Sequence, residues 1–328
     1  METLKPRELK QQAAQRLEQT NANPKQLVLI YTGLIVLLNL LVNGLNFVLS
    51  ERIDATGGLS GLGTRSVLQT VQTLLSYFSM FFTPFWEAGF LFAMISIARG
   101  LDAQPKSMLR GFQRFGRVLS YVFWQMLILI ALCFGLMYVV VFLFALTPFA
   151  EDFVEAVLPL MQNSEALLPD GTINMELLPV GELFRAMIPM FVIYAAILIP
   201  VYAYICYHLR LTSFLLVEGQ SRSTFGSMGA SVKLMKGHKW QMLKLDLSFW
   251  WYYALEALLM VVLYLDAILP MMGVSLPIDS TVAYFITLVL YCILELALHL
   301  WKKPQVDVTY AAAYETIYRA SFPGKTDP

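Results

Sequence analysis

Residues 118–147 read VLSYVFWQMLILIALCFGLMYVVVFLFALT, a run without a single charged side chain. At 1.5 Å per residue a helix of that length reaches ~45 Å, well beyond the ~30 Å hydrocarbon core that ~20 residues cross. Arg110, Arg114 and Arg117 stand immediately before it. After it come Glu151, Asp152, Glu155, Glu165, Asp170, Glu176 and Glu182, with no base until Arg185. The run therefore divides a basic side from an acidic side, as a membrane-spanning helix does.

Five further apolar stretches lie outward of this one, at 27–49, 68–98, 186–208, 246–269 and 281–301. Twenty of the 23 Lys and Arg fall in the two ends of the chain and in the gaps after the second and fourth stretches. Cytoplasmic loops carry the excess of bases. The sequence thus predicts an all-α polytopic membrane protein of six transmembrane helices with both termini cytoplasmic. Its parts are a cytoplasmic amphipathic helix within 1–26, a membrane domain over 27–301, and a cytoplasmic tail at 302–328. The membrane domain includes an outer loop at 148–184 and cytoplasmic amphipathic segments at 105–117 and 223–240.

Composition agrees. The chain is 58% apolar and 14% charged, against about 45–50% and ~25% in soluble proteins. An acidic outside and a basic inside suit a plasma membrane with an anionic inner leaflet. The bases sit beside spans and form no separate domain, which excludes a nucleic-acid partner. Cys133, Cys206 and Cys292 lie inside apolar stretches, so no disulfide framework is expected. The first run is too long for a signal-peptide core and is followed by no small-residue cleavage site, so it reads as an uncleaved anchor. No lipidation motif is seen at either end.

Local signals place the breaks. Leu9, Ala13 and Leu17 make a four-residue stripe in a helix over 5–20, which Asn21, Asn23 and Pro24 end. Pro84 is expected to kink or divide the second stretch, and Pro200 to kink the fourth. His208 and Arg210 mark the end of the fourth span, leaving Leu211–Val217 at the interface or against protein. In 105–115, Met108, Leu109, Phe112 and Phe115 form an apolar stripe opposite Arg110 and Arg114. In 223–236, Phe225, Met228, Val232 and Met235 do the same opposite Lys233 and Lys236, with Gly237 placed to end the helix. Short basic amphipathic helices of this kind lie in the headgroup plane. Base, Gly, ring, base and aromatic recur in order at Arg110–Phe115 and Lys236–Trp240, so one reading divides the chain into three units, each an interfacial helix followed by a hairpin.

Leu109-Arg-Gly-Phe-Gln-Arg-Phe-Gly-Arg-Val-Leu119 and Ala230-Ser-Val-Lys-Leu-Met-Lys-Gly-His-Lys-Trp240 resemble the two signature loops of a bacterial membrane family, the domain of unknown function 975 family. Arg7-Glu-Leu-Lys-Gln-Gln-Ala13 and Tyr310-Ala-Ala-Ala-Tyr-Glu315 are similar to its ends. The resemblance covers nearly the whole chain. Asn23-Pro24, where the family often has a Gly/Asn-Trp pair, and the long 148–184 loop depart from it. It implies a polytopic protein of a bacterial cell membrane and supplies no reaction.

Glu87, Glu256 and Glu295 fall inside predicted spans, where an ionised group is costly unless partnered. His299 follows Glu295 by four residues and shares its helix face. Such groups serve either a proton or cation pathway or the packing of one helix on another. No metal motif, hydrolase elbow or phosphate-binding loop is present, so no catalytic residue, metal or cofactor is assigned. His238, Lys239 and Trp240 read as an interfacial anchor. With Arg110, Arg114, Arg117, Lys233 and Lys236 they form a candidate surface for anionic headgroups. Two functions stay open. One is a non-enzymatic membrane or envelope protein engaging lipid, a protein partner or a second copy of itself through its basic belt. The other is a small secondary transporter or channel-like protein using the intramembrane glutamates.

Overall fold

The computed structural model describes residues 5–55, 62–162, 180–220, 223–271 and 279–322. Every regular element among them is helical. Contacts divide the chain into two units, one comprising residues 1–122 and 208–328, the other residues 123–207.

In the first unit, α1 (Pro6–Gln19) begins on a proline suited to the first turn. It buries Leu9 and Ala13, while Leu17 is half-buried. The Asn23 side chain accepts from Gln26 N at 3.1 Å and starts α2 (Pro24–Ala55). α3 (Leu62–Ala98) runs through Pro84 as one helix, so the division expected there is absent. It ends at Gly100, whose φ of 78° only glycine adopts freely. A 3-10 turn at Pro105–Leu109 and the single turn α4 (Arg110–Gln113) fold back on α3 before α5 (Phe115–Ala145). Two glycines permit that return. A Cβ on Gly89 would meet Met108 O at 1.6 Å, and one on Gly111 would meet Phe85 O at 1.9 Å. The aromatic rings of the segment then close over α3. Phe112 packs on Phe82, Phe85 and Trp86, and Phe115 stacks on Phe85 at 4.6 Å.

The second unit holds the rest of α5, α6 (Phe149–Gln162) and α7 (Val180–Leu209) as far as Tyr207. Tyr194 donates to Cys133 O, and Phe144 meets Phe153 edge-on. Phe134, Tyr138, Phe142, Val192 and Ile199 are exposed, as suits apolar faces turned to lipid. Of the expected outer loop, residues 149–162 are helix, Val180 onward belongs to α7, and 163–179 lie outside the described residues.

Beyond α7 the chain returns to the first unit through α8 (Thr212–Glu218), α9 (Thr224–Leu234), α10 (Lys239–Ser248), α11 (Trp250–Leu263), α12 (Leu265–Met271) and α13 (Ser280–Ser321). Leu211 and Phe214–Val217 are buried in α8, so this segment packs against protein. The fifth expected span is bent by 65° between α10 and α11. No Gly or Pro makes this bend. The buried Phe249 ring anchors it beside Tyr310, and Lys10 Nζ takes the freed carbonyl of Ser248 at 2.6 Å. Among the described residues five helices are thus long and apolar enough to cross a membrane, or six if the bent pair is one span.

α13 runs 42 residues through Pro304, ~63 Å at helical rise, about twice a hydrocarbon core. The segment 302–321 that the sequence set apart as a tail is therefore helix continuous with the last span. It is also the centre of the packing: Val306, Val308, Thr309, Ala311, Ala313, Tyr314 and Ile317 are almost inaccessible. α1 and α3 pack against α13, burying Leu9, Ala13 and Ala93–Ile97, Phe214 of α8 stacks on Tyr314, and Tyr310 reaches Asp246 of α10. Among the described residues, the fully buried side chains concentrate at this basic end.

Candidate functional site

Two clusters of charged side chains are built on this frame. The first lies where α13 passes from the apolar span into the packed end. Glu295, His299, Lys303 and Asp307 follow one another at four-residue spacing and line one face of α13. His299 is buried. Its Nδ1 pairs with Thr32 Oγ1 of α2 at 3.1 Å, and its Nε2 lies 3.5 Å from Glu256 Oε1 of α11. Lys303 Nζ lies 3.5 Å from Asp307 Oδ2 and sits over the rings of Tyr31 and Phe90, which stack on each other. It is also within electrostatic reach of Glu87 on α3, of Glu256 and of Glu295. One oxygen of Glu295, Oε2, is buried without a hydrogen-bond partner.

The four residues predicted from sequence are thus brought together, with Lys303 among them. Sequence reasoning missed Lys303, Asp307 and Thr32. The signal for the first two was present: the Glu295–His299 spacing continues for two more turns. Four carboxylates around one lysine and one histidine can hold protons or a small cation, and the pair Glu256–His299 can pass a proton. Among the described residues no group of His, Cys, Asp or Glu is arranged to hold a metal ion.

The second cluster joins the signature segments. Arg99, at the end of α3, donates from Nε to Glu315 Oε1 at 2.7 Å and from Nη2 to Glu218. All three side chains are at least nine-tenths buried. Burial acts to lower the arginine's pKa, but the Glu315 hydrogen bond and the charges of Glu218 and Glu315 outweigh it and hold it above the usual value. Tyr314 donates to Glu218 Oε2 at 2.5 Å, and Tyr318 to Gln220 Oε1 at 2.7 Å. Arg114 reaches the Glu218 carbonyl at 3.3 Å and lies over Gly219, where a Cβ would be 2.1 Å from Nη1. Burial, then the neighbouring charges of Arg117 and Arg110, lower its pKa. Nearby, Arg210 and Tyr310 both donate to Asp246 Oδ1, at 2.8 and 2.5 Å.

The remaining basic candidates divide between protein and surface. Arg110 lies over the Phe92 ring, and Thr224 Oγ1 bonds the Arg117 carbonyl. His238 is buried and bonds Gln241, while Lys239 Nζ lies 2.5 Å from His208 Nε2. Lys233, Lys236 and Trp240 are exposed. The apolar stripe expected on α9 is turned around. Met228 and Met235 face inward, but Phe225 and Val232 face out beside Lys233 and Lys236, and Ser227 and Ser231 take the inner positions. Ser231 Oγ explains the turn. It donates to His208 O at 2.9 Å and accepts from Leu211 N at 3.1 Å, satisfying the backbone where α7 gives way to α8.

The model of the family described as protein of unknown function (DUF975) matches residues 1–321, and the chain belongs to this family. No curated protein and no solved structure matches it.

Proposed function

We propose that this member of the DUF975 family is a non-enzymatic protein of a bacterial cell membrane, with both termini cytoplasmic. Its packed basic end rests on the anionic inner leaflet and engages lipid there, and through lipid or directly a protein partner. The supporting observation is the outward face of α9. Phe225, Val232 and Lys233 are exposed on α9 and Lys236 just beyond it, and Trp240 and Lys244 are exposed on α10, the lysine lying over the Trp240 ring. An apolar and basic face suits a helix lying in the headgroup plane. Arg99, by contrast, holds Glu218 and Glu315 inside the module.

The test is native mass spectrometry of the purified protein carrying Lys233→Gln, Lys236→Gln and Lys244→Gln together. Each base near an anionic surface is worth about 1 kcal/mol, so retention of phosphatidylglycerol relative to phosphatidylcholine should fall roughly 100-fold. Unchanged retention in a variant that inserts normally would remove this reading.

The convergence around Lys303 supports a second reading, passage of protons or a small cation. On that reading Glu256→Gln or Glu295→Gln abolishes flux into proteoliposomes while leaving the melt unchanged. A Gln variant with wild-type flux would leave the cluster a packing device.

A further inference from the structure

A cleft of about 490 Å³ opens between α1, the end of α3 and the last turns of α13. Its position is set by α13: Glu315 is twelve residues beyond Lys303, ~18 Å along the helix, so the cleft lies in the packed module, clear of the spans. Arg99 and Glu315, whose side chains are largely buried, line it together with the exposed Arg16 and Arg319. Gln12, Gln15 and Gln19 bring carboxamides from the polar face of α1.

Arg99 is only partly used by the protein. Arg99 spends Nε and Nη2 on Glu315 and Glu218, and its Nη1 has no partner among the described residues. Arg319 Nε lies 3.5 Å from the other oxygen of Glu315. Arg16 makes no ion pair among the described residues. Its Nη1 would lie 2.6 Å from a Cβ on Gly100, so it packs against the end of α3 and lines the same cleft as Arg99. The glycine that ends α3 thus also makes room for the Arg16 guanidinium at the cleft. Three guanidiniums meet two carboxylates, Glu218 and Glu315, and the surplus is positive.

From this geometry we infer that the cleft binds a phosphate group. Guanidinium forks pair with oxyanions through two parallel N–H donors. Three of them arriving from three helices fit a tetrahedral anion, which offers oxygens in several directions, better than a planar carboxylate. The glutamine amides add neutral donors and acceptors for the remainder of the ligand. A volume of this size falls within the range of small-molecule sites. The phosphate belongs either to a soluble phosphorylated compound or to a lipid headgroup. Because the cleft joins α1 to α13, its occupant also fastens the N-terminal helix to the module.

The experiment titrates the full-length protein in neutral detergent with sodium pyrophosphate against sodium chloride at matched ionic strength, read by calorimetry. A parallel arm offers phosphatidylglycerol in mixed micelles as competitor. Saturable pyrophosphate binding is expected, weakened at least tenfold by Arg16→Gln and by Gln15→Glu, which places a carboxylate in the cleft. Both positions are exposed on α1, so the ligand-free melts of both variants should match wild type. Competition by phosphatidylglycerol identifies the headgroup as the source, and its absence identifies a soluble phosphate. No saturable binding of either compound, or binding unaltered in both variants, would overturn the inference.

Discussion

Arg99→Ala is the sharpest perturbation of the packed end. It removes the guanidinium that bonds both Glu218 and Glu315, two carboxylates each about nine-tenths buried. Deleting one partner of a buried ion pair costs about 3–5 kcal/mol, because the remaining charge loses compensation that water cannot restore. Tyr314 still donates to Glu218 and Arg319 lies 3.5 Å from Glu315, so the loss should lie within this range, about 3–5 kcal/mol. Glu315→Gln should cost less, about 1–3 kcal/mol, since Arg99 keeps Glu218 and the amide oxygen still accepts. The triple change Arg99→Met, Glu218→Gln and Glu315→Gln removes charge and partner together and should recover at least half of the Arg99→Ala loss. Reversible unfolding in mixed micelles, followed by tryptophan fluorescence, measures all three. An Arg99→Ala variant within about 0.5 kcal/mol of wild type, the level of an ordinary surface change, would refute the reasoning, as would a triple variant no more stable than the single one.

Other substitutions read other parts of the fold. Gly111→Ala forces a Cβ against the Phe85 carbonyl and should cost 2 kcal/mol or more, on the order of an overpacked core position. Gly229→Ala, on α9 with open space around it, should instead stabilise by about 0.5–1 kcal/mol; detergent melts of the pair separate close packing from general glycine intolerance. Glu256→Leu should destabilise by about 0.6–2 kcal/mol through loss of the His299 contact, whereas Glu256→Gln should melt within a degree or two of wild type.

Much of this architecture was legible because hydrophobic runs and proline or asparagine breaks act locally. The break at Asn23-Pro24, the helix over 5–20 and the apolar runs all follow from side-chain chemistry within a few residues. What could not be read depends on distant partners. Lys302, Lys303 and Pro304 look like the exit of a span, yet α13 continues because Val306, Ala313 and Tyr314 find α1, α3 and α8 to pack against. The bend at Phe249 has no local breaker and rests on Lys10, far away in sequence, accepting the role of donor to Ser248. The face of α9 is decided by Ser231 bonding the end of α7, so an apolar stripe drawn on that helix alone chose the wrong side for Phe225 and Val232. The glutamates and His299 were visible as charges in apolar runs. Arg99 was missed because a base at the end of a span is ordinarily a surface residue, and nothing nearby in sequence announces Glu218 or Glu315.

Thiol labelling in intact cells tests the central claim most directly, that the packed basic end faces the cytoplasm. Single cysteines at Lys236 on the exposed face following α9 and at Ser164 in the acidic segment are introduced into a background lacking Cys133, Cys206 and Cys292. An impermeant maleimide should label the Ser164 position in intact cells and the Lys236 position only after the membrane is opened. Labelling of the Lys236 position in intact cells, with the Ser164 position protected, would place the basic end outside and contradict the account.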